Sequence, residues 1–255
     1  MSFIDTHCHL YLKDFATDIS GVFERAEAAG VNKFYLPAID SETLELMLSM
    51  ETAYPSKCMA MAGLHPCSVK ENYKKELRIV EDILAKKSFA AIGEIGLDFY
   101  WDRTFEQQQY ESFHQQIQWA LHYDLPIVIH SRESMESCIE VVGQYQRGKL
   151  KGIFHCFTGS AEQAGKIIDL GLYLGIGGVI TYKNAGLAET LKNIGMDSIV
   201  LETDAPYLTP VPFRGKRNES SYIKYIAQKL ADVKNIEITE VEKITTSNAE
   251  KIFKA

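Results

Sequence analysis

One pattern recurs along the 255 residues of the chain: a short apolar run rich in β-branched or aromatic residues, then an amphipathic stretch. The runs occupy residues 3–5, 33–37, 58–63, 89–94, 126–130, 152–155, 172–175 and 199–202. Their starts lie roughly 20 to 37 residues apart, the size of a βα unit. Runs without polar alternation are buried on both faces, as strands of a parallel sheet are. Eight such units, with no G-x-G-x-x-G in the first βα turn, predict an α/β fold of the closed (β/α)8 TIM-barrel kind rather than an open doubly wound sheet. No Pro/Ser linker or low-complexity tract divides the chain, so residues 1–255 are expected to form one domain.

Between the runs, Phe15, Ile19, Val22, Phe23 and Ala26 make one helical stripe, with Gly30 placed as its C-terminal cap. Thr104 with Gln107, and Ser160 with Gln163, fit the capping box that opens a helix. Beyond the eighth run a Pro-rich loop, 206–212, leads into two further helical patterns.

No stretch approaches the ~20 apolar residues of a membrane span, so no membrane association is expected. The N-terminus reaches Asp5 without a basic or apolar leader. The cysteines (Cys8, Cys58, Cys67, Cys138, Cys156) are odd in number and contain no C-x-x-C pair. Free thiols in a reducing cytosol fit this better than a disulfide framework, and a cytoplasmic location is expected. A net charge of −7 argues against a broad basic face for nucleic acid. It leaves room for an enzyme whose positive charge is local and partly metallic.

The active site of such a barrel lies at the C-terminal ends of its strands. Those ends carry His7 and His9, His65, Glu94, His130, His155 and, past the eighth run, Glu202-Thr203-Asp204. Only His114 and His122, of seven histidines, lie elsewhere, in the helical segment before the fifth run. The i, i+2 pair His7 and His9 puts two imidazoles on one face of a strand, as a divalent metal requires. Together with His130, His155, Glu94 and Asp204 they exceed the ligands of one tetrahedral zinc. Two divalent ions sharing Glu94 would use them all. One would take His7, His9, Asp204 and Glu94, the other His130, His155 and Glu94, as in two-metal displacement at phosphorus. The imidazole-rich set suits Zn, Mn, Co or Ni better than Mg, which prefers oxygen.

The segments Asp5-Thr6-His7-Cys8-His9-Leu10, Gly63-Leu64-His65-Pro66, Gly93-Glu94-Ile95-Gly96-Leu97-Asp98, Ile129-His130-Ser131-Arg132, His155-Cys156-Phe157-Thr158-Gly159 and Leu201-Glu202-Thr203-Asp204-Ala205-Pro206-Tyr207, followed by Arg214-Gly215-Lys216-Arg217-Asn218-Glu219, carry a family resemblance. Almost end to end, the chain resembles the TatD family of metal-dependent deoxyribonucleases. The resemblance implies an amidohydrolase-like barrel, a divalent-metal hydrolase, and cleavage of phosphodiester bonds in DNA, often from the 3′ end. It also implies single-stranded DNA as the partner, Mg-supported activity, and metal ligation by His7, His9, Glu94, His130, His155 and Asp204. Many related amidohydrolases bridge their metals with a carbamylated lysine on strand four. Glu94 supplies that carboxylate here, which favours the TatD-like reading.

Asp204, at a metal edge, is the expected general base for the attacking water, and Glu94 the bridge. His65 either contacts a substrate phosphate or caps the loop at Pro66. Arg132, Arg214 and Arg217 are candidate phosphate contacts because a guanidinium offers a bidentate fork; Lys216 is a weaker one, and Lys149 and Lys151 read as surface. Phe99, Tyr100 and Trp101 have two open uses, stacking bases or packing over the barrel mouth, the second being preferred. Asp98 and Glu202 could orient ligating side chains. Cys8 and Cys156 are expected to point away from the ligands. The same centre could instead serve a lactonase, amidase or phosphotriesterase, or a non-catalytic metal-holding module, because fold does not fix substrate.

Overall fold

In a computed structural model, describing residues 2–253, the eight runs become eight parallel strands. They are β1 (Phe3–Asp5), β2 (Val31–Leu36), β3 (Cys58–Ala60), β4 (Ile92–Asp98), β5 (Ile127–Arg132), β6 (Gly152–Phe154), β7 (Tyr173–Ile176) and β8 (Ile199–Leu201). The α-helices among the described residues are α1 (Ile19–Ala28), α2 (Ser41–Ala53), α3 (Tyr73–Leu84), α4 (Glu106–Tyr123), α5 (Met135–Tyr145), α6 (Ala161–Asp169), α7 (Leu187–Leu191), α8 (Ile223–Lys234) and α9 (Ile238–Phe253). No helix among the described residues is long and apolar enough to cross a membrane.

Strands β1 to β3 pair in order, as do β4 to β8. Backbone bonds close both seams. Ala90 N–H donates to Ala60 O at 2.9 Å and Gly93 N–H to Ala62 O at 2.9 Å, joining β3 to β4. Thr6 N–H donates to Leu201 O at 3.1 Å and Asp204 N–H to His7 O at 2.9 Å, joining β8 to β1. The result is a barrel.

The fourth strand departs most from expectation. It begins at Ile92 and runs past Glu94 to Asp98, with Asp98 opposite Arg132 of β5. Residues 95–98 escaped the apolar pattern because Gly96 and Asp98 interrupt it. Gly96 (φ +138°) must be glycine, since a Cβ there would sit 2.1 Å from His130 O. The register slips between Gly93 and Ile95, so Glu94 has no partner across the ladder; its N–H donates to Ala38 O at 3.2 Å. Such a bulge re-aims a side chain, here that of Glu94.

The barrel interior is filled from one end. Ile4, Tyr35, Met61, Val128, Ile153 and Val200 pack against Ala249, Ile252 and Phe253 of α9. The Tyr35 and Phe253 rings stack at 3.8 Å. Helix α9 covers the end where β8 starts, because Asn248 Nδ2 donates to Met196 O and Ile199 O, both at 2.9 Å. With that end apolar, the polar strand termini face the other.

Local signals fared unevenly. Gly30 (φ +82°) ends α1 as expected, but Phe15 lies in a separate 3-10 turn, Lys13–Phe15. Ser160 and Gln163 form their capping box at the start of α6. Thr104 forms none. Helix α4 starts at Glu106 after Phe105, and Thr104 N–H donates to Asp102 Oδ1 at 2.9 Å, an alternative turn that wins over the box.

Candidate metal centre

Local backbone bonds build one side of the site. Asp5 Oδ1 accepts from Thr203 N–H at 2.9 Å, and Asp5 Oδ2 from the Thr203 hydroxyl at 2.6 Å. His9 N–H donates to Ala205 O at 2.7 Å. Residues 6–9 and 201–205 are thereby zipped side by side, and the left-handed backbone of Asp204 (φ +58°) turns its carboxylate towards the two histidines. Asp204 Oδ1 lies 3.6 Å from Nε2 of both His7 and His9.

Glu94, brought in by the bulge of β4, lies at the middle. Its Oε2 is 3.1 Å from His7 Nε2 and 3.7 Å from His9 Nε2. Its Oε1 is 2.8 Å from His130 Nδ1, 3.0 Å from His155 Nε2 and 3.3 Å from His65 Nε2. The two oxygens of one carboxylate thus face two sets of imidazoles, which meet where the His7 and His155 rings stack at 3.8 Å.

Partners behind the rings set their donor atoms. Tyr11 gives its hydroxyl proton to Pro37 O at 2.6 Å, so it accepts from His9 Nδ1–H at 3.0 Å. That assigns the lone pair of His9 to Nε2, the atom facing Glu94 and Asp204. Asp98 Oδ2 holds His130 Nε2 at 2.8 Å, leaving Nδ1 towards Glu94. Glu202 Oε1 lies 3.4 Å from His155 Nδ1 and accepts from Cys156 N–H.

The electrostatics follow from burial against charge. Desolvation raises the pKa of Glu94, but His155, His65, His7 and the bond from His130 outweigh it and hold the carboxyl well below its ordinary value. Asp204 is likewise lowered against the pull of burial. Burial and the neighbouring His155 lower His7, keeping it a neutral imidazole. Burial opposes the charged form of His130, yet its contacts with Asp98 and Glu94 raise its pKa.

Three groups bring ligand atoms within 4.8 Å of one another: His7, His155 and Asp204; His7, His9 and Glu94; and His65, Glu94 and His130. Both ring nitrogens of His7 and Nδ1 of His155 are buried without a hydrogen-bond partner among the described residues. Buried polar atoms normally find partners. Of these orphaned nitrogens, His7 Nε2 faces Glu94 at 3.1 Å and Asp204 at 3.6 Å. An orphaned imidazole nitrogen between two carboxylates fits a divalent cation, so the residues present suit the metal that the sequence implies.

The six expected ligand residues are therefore brought together, and His65 joins them. His65 also caps the next turn, its Nδ1 accepting from Cys67 N–H at 3.0 Å. Arg132 and Trp101 line the same cleft, of about 720 Å³. Arg214 instead lies beside the ring of Tyr182, 4.0 Å from its centre and off the cleft lining. Arg217 is placed otherwise than expected. Its Nη1 and Nη2 donate to the two oxygens of Asp18 at 2.7 and 2.8 Å, so the fork meant for phosphate is engaged within the protein.

Two side-chain expectations change. Cys156 lines the cleft, because its left-handed backbone (φ +48°) takes it off the strand alternation; Cys8 is buried as expected. Phe99 packs on the core, whereas Tyr100 and Trp101 are exposed, against the preferred packing reading. Tyr11 went unnoticed in the sequence, although it continues the i, i+2 spacing of His7 and His9.

The family of TatD related DNases matches residues 4–254. YabD of Bacillus subtilis (strain 168), an uncharacterized metal-dependent hydrolase, is 39% identical over 98% of this chain and 98% of its own. YcfH of Escherichia coli (strain K12), of the same description, is 31% identical over 99% of this chain and 96% of its own. The crystal structure of the TatD homolog YjjV from Escherichia coli K12 superposes with a TM-score of 0.93 at 28% identity, covering 99% of this chain and 98% of that one. Barrel, carboxylate-centred imidazoles and relatives agree: the chain belongs to the TatD family of metal-dependent hydrolases.

Proposed function

We propose that this hydrolase cleaves phosphodiester bonds of DNA, working from the 3′ end of a single strand in the cytoplasm. The observation that carries the reading is the division of Glu94, whose Oε2 faces His7 and His9 while Oε1 faces His130 and His155. That arrangement suits two divalent ions sharing one carboxylate. His7, His9, Asp204 and Glu94 would hold one ion, and His130, His155 and Glu94 the other. Such a pair, drawn from Zn, Mn, Mg, Co or Ni, supplies acidified water and neutralises charge at phosphorus.

The chain's own residues do the rest. Asp204, still partly open to the cleft, accepts the proton of the attacking water as its oxygen bonds to phosphorus. The P–O bond to the leaving sugar oxygen breaks, and that oxygen takes up a proton, so that water is added across the bond. His65 stands next to Glu94 Oε1 at 3.3 Å, within reach of a phosphate oxygen on that side. Arg132, free of any ion pair among the described residues, offers its fork to the phosphate backbone at the cleft rim.

The test is a chelated sample reloaded with each metal and given 3′-labelled and 5′-labelled single-stranded DNA. Chelation should abolish cleavage, reloading restore it, and the 3′ label appear first in short products. A sample that hydrolyses a lactone or amide panel and leaves DNA intact overturns the DNA reading while keeping the metal centre.

A further inference from the structure

Beside the candidate metal centre, the loop leaving β4 carries two exposed aromatic rings. Trp101 is 67% exposed and Tyr100 48%, their ring centres 4.8 Å apart and nearly perpendicular. The Arg132 guanidinium, at the end of β5, lies 3.9 Å from the Tyr100 ring centre and 5.2 Å from that of Trp101. Exposed aromatic surface beside a polar cleft marks a binding surface. We propose that Trp101, with Tyr100 and Arg132, is a stacking platform for an unpaired nucleobase, with the Arg132 fork taking the adjoining phosphate. This deepens, and rests on, the reading of the site as a nuclease.

The platform is held before substrate arrives. Asp98 Oδ1 accepts from Tyr100 N–H at 3.0 Å and from Trp101 N–H at 3.1 Å, while its Oδ2 holds His130. One carboxylate therefore ties the backbone that carries both rings to the candidate metal centre, so that binding has less of this loop to order. The local charge also suits an anion. Asp102, next to Trp101, is paired with Lys70 at 2.9 Å, whereas Arg132 has no carboxylate partner among the described residues. A guanidinium over aromatic faces keeps its N–H edge free for phosphate.

Stacking implies a choice of strand. In a duplex each base face is covered by its neighbours, so only an unpaired or frayed nucleotide can cover the indole. The rings contact any base through its face, which gives selection for single strands without sequence preference. Because β4–β5 and β8–β1 are opposite in the barrel order, Tyr207 and Leu208 bound the other lip of the same cleft.

The experiment combines kinetics with fluorescence on the metal-loaded protein. Trp101→Ala should raise KM for a single-stranded oligonucleotide about tenfold, the size of one lost stack, with kcat little changed. Trp101→Phe should recover most of that loss. An oligonucleotide with abasic residues at its 3′ end should be cleaved by the native chain and by Trp101→Ala with the same KM. An unchanged KM in Trp101→Ala overturns the platform. An equal loss on abasic and normal strands also overturns it, since Trp101 would then act by placing the Asp98 loop. Fluorescence separates this failure from that of the nuclease reading. Trp101 is exposed and Trp119 buried, so a stacking base quenches the exposed indole alone. Quenching by oligo-dT without cleavage keeps the platform and removes the nuclease; cleavage without quenching removes the platform.

Discussion

Glu94 and Asp204 are both carboxylates among histidines, yet their surroundings give them different work. Glu94 is enclosed and central, with five imidazole nitrogens within 3.7 Å of its oxygens. Asp204 stands at the edge, facing His7 and His9 on one side and the cleft on the other. Glu94→Gln should therefore lose metal, seen as a fall in ion content by elemental analysis, together with activity. Asp204→Asn should keep much of its metal and lose turnover by about 10²–10⁴-fold, the scale of a removed general base. A near-normal rate in Asp204→Asn would remove it from the mechanism. The residue types gathered at the site were legible from the sequence alone because histidine and carboxylate recur at the strand ends. Roles that depend on a neighbour were not. His65 read equally as a cap and as a phosphate contact; its Nδ1 does the capping, while its Nε2 faces Glu94. Arg217 read as a free fork and is tied to Asp18.

Among the elements, α6 and α4 separate a formed cap from an apparent one. Ser160 and Gln163 satisfy each other's backbone N–H groups at the start of α6. Ser160→Ala should cost about 1 kcal/mol and lower the melting temperature by roughly 2–4 °C. Thr104→Ala, at the sequence match whose box does not form, should leave it within about half a kcal/mol of the native value. Thermal denaturation of both variants checks the pair; a larger loss at Thr104 would contradict the observed start of α4. Strand existence was legible from apolar runs, but the far half of β4 was not. Its glycines serve the close approach to β5, a property of the partner strand rather than of the run itself.

At the scale of the whole molecule, an ion-pair network ties α1 to the segment after the Pro-rich loop. Arg25 Nη2 lies 2.7 Å from Glu219 and 3.2 Å from Asp18, which also binds Arg217. The bond from Arg217, with Arg25 behind it, brings Asp18 down to about 2. Burial raises Glu219, but its bonds from Arg25 and Ser221 lower it overall. Both carboxylates bind protons less readily folded than unfolded, so their contribution is present above about pH 4 and is lost as the pH falls towards 2. Arg25→Gln should melt lower than the native chain at pH 7, with the gap closing below about pH 4. A gap independent of pH would show that packing of the Arg25 stem, not charge, is what the substitution removes.

The barrel class, the strand count and the identity of the six central side chains were already determined by the sequence, because periodicity and residue chemistry are local properties that each segment carries by itself. The entry of His65 beside Glu94, the orphaned nitrogens of His7 and the exposed indole of Trp101 were decided only by the tertiary structure. Each is a distance or a burial set by segments far apart in the chain. Such quantities come into being when the seams between β3 and β4, and between β8 and β1, close.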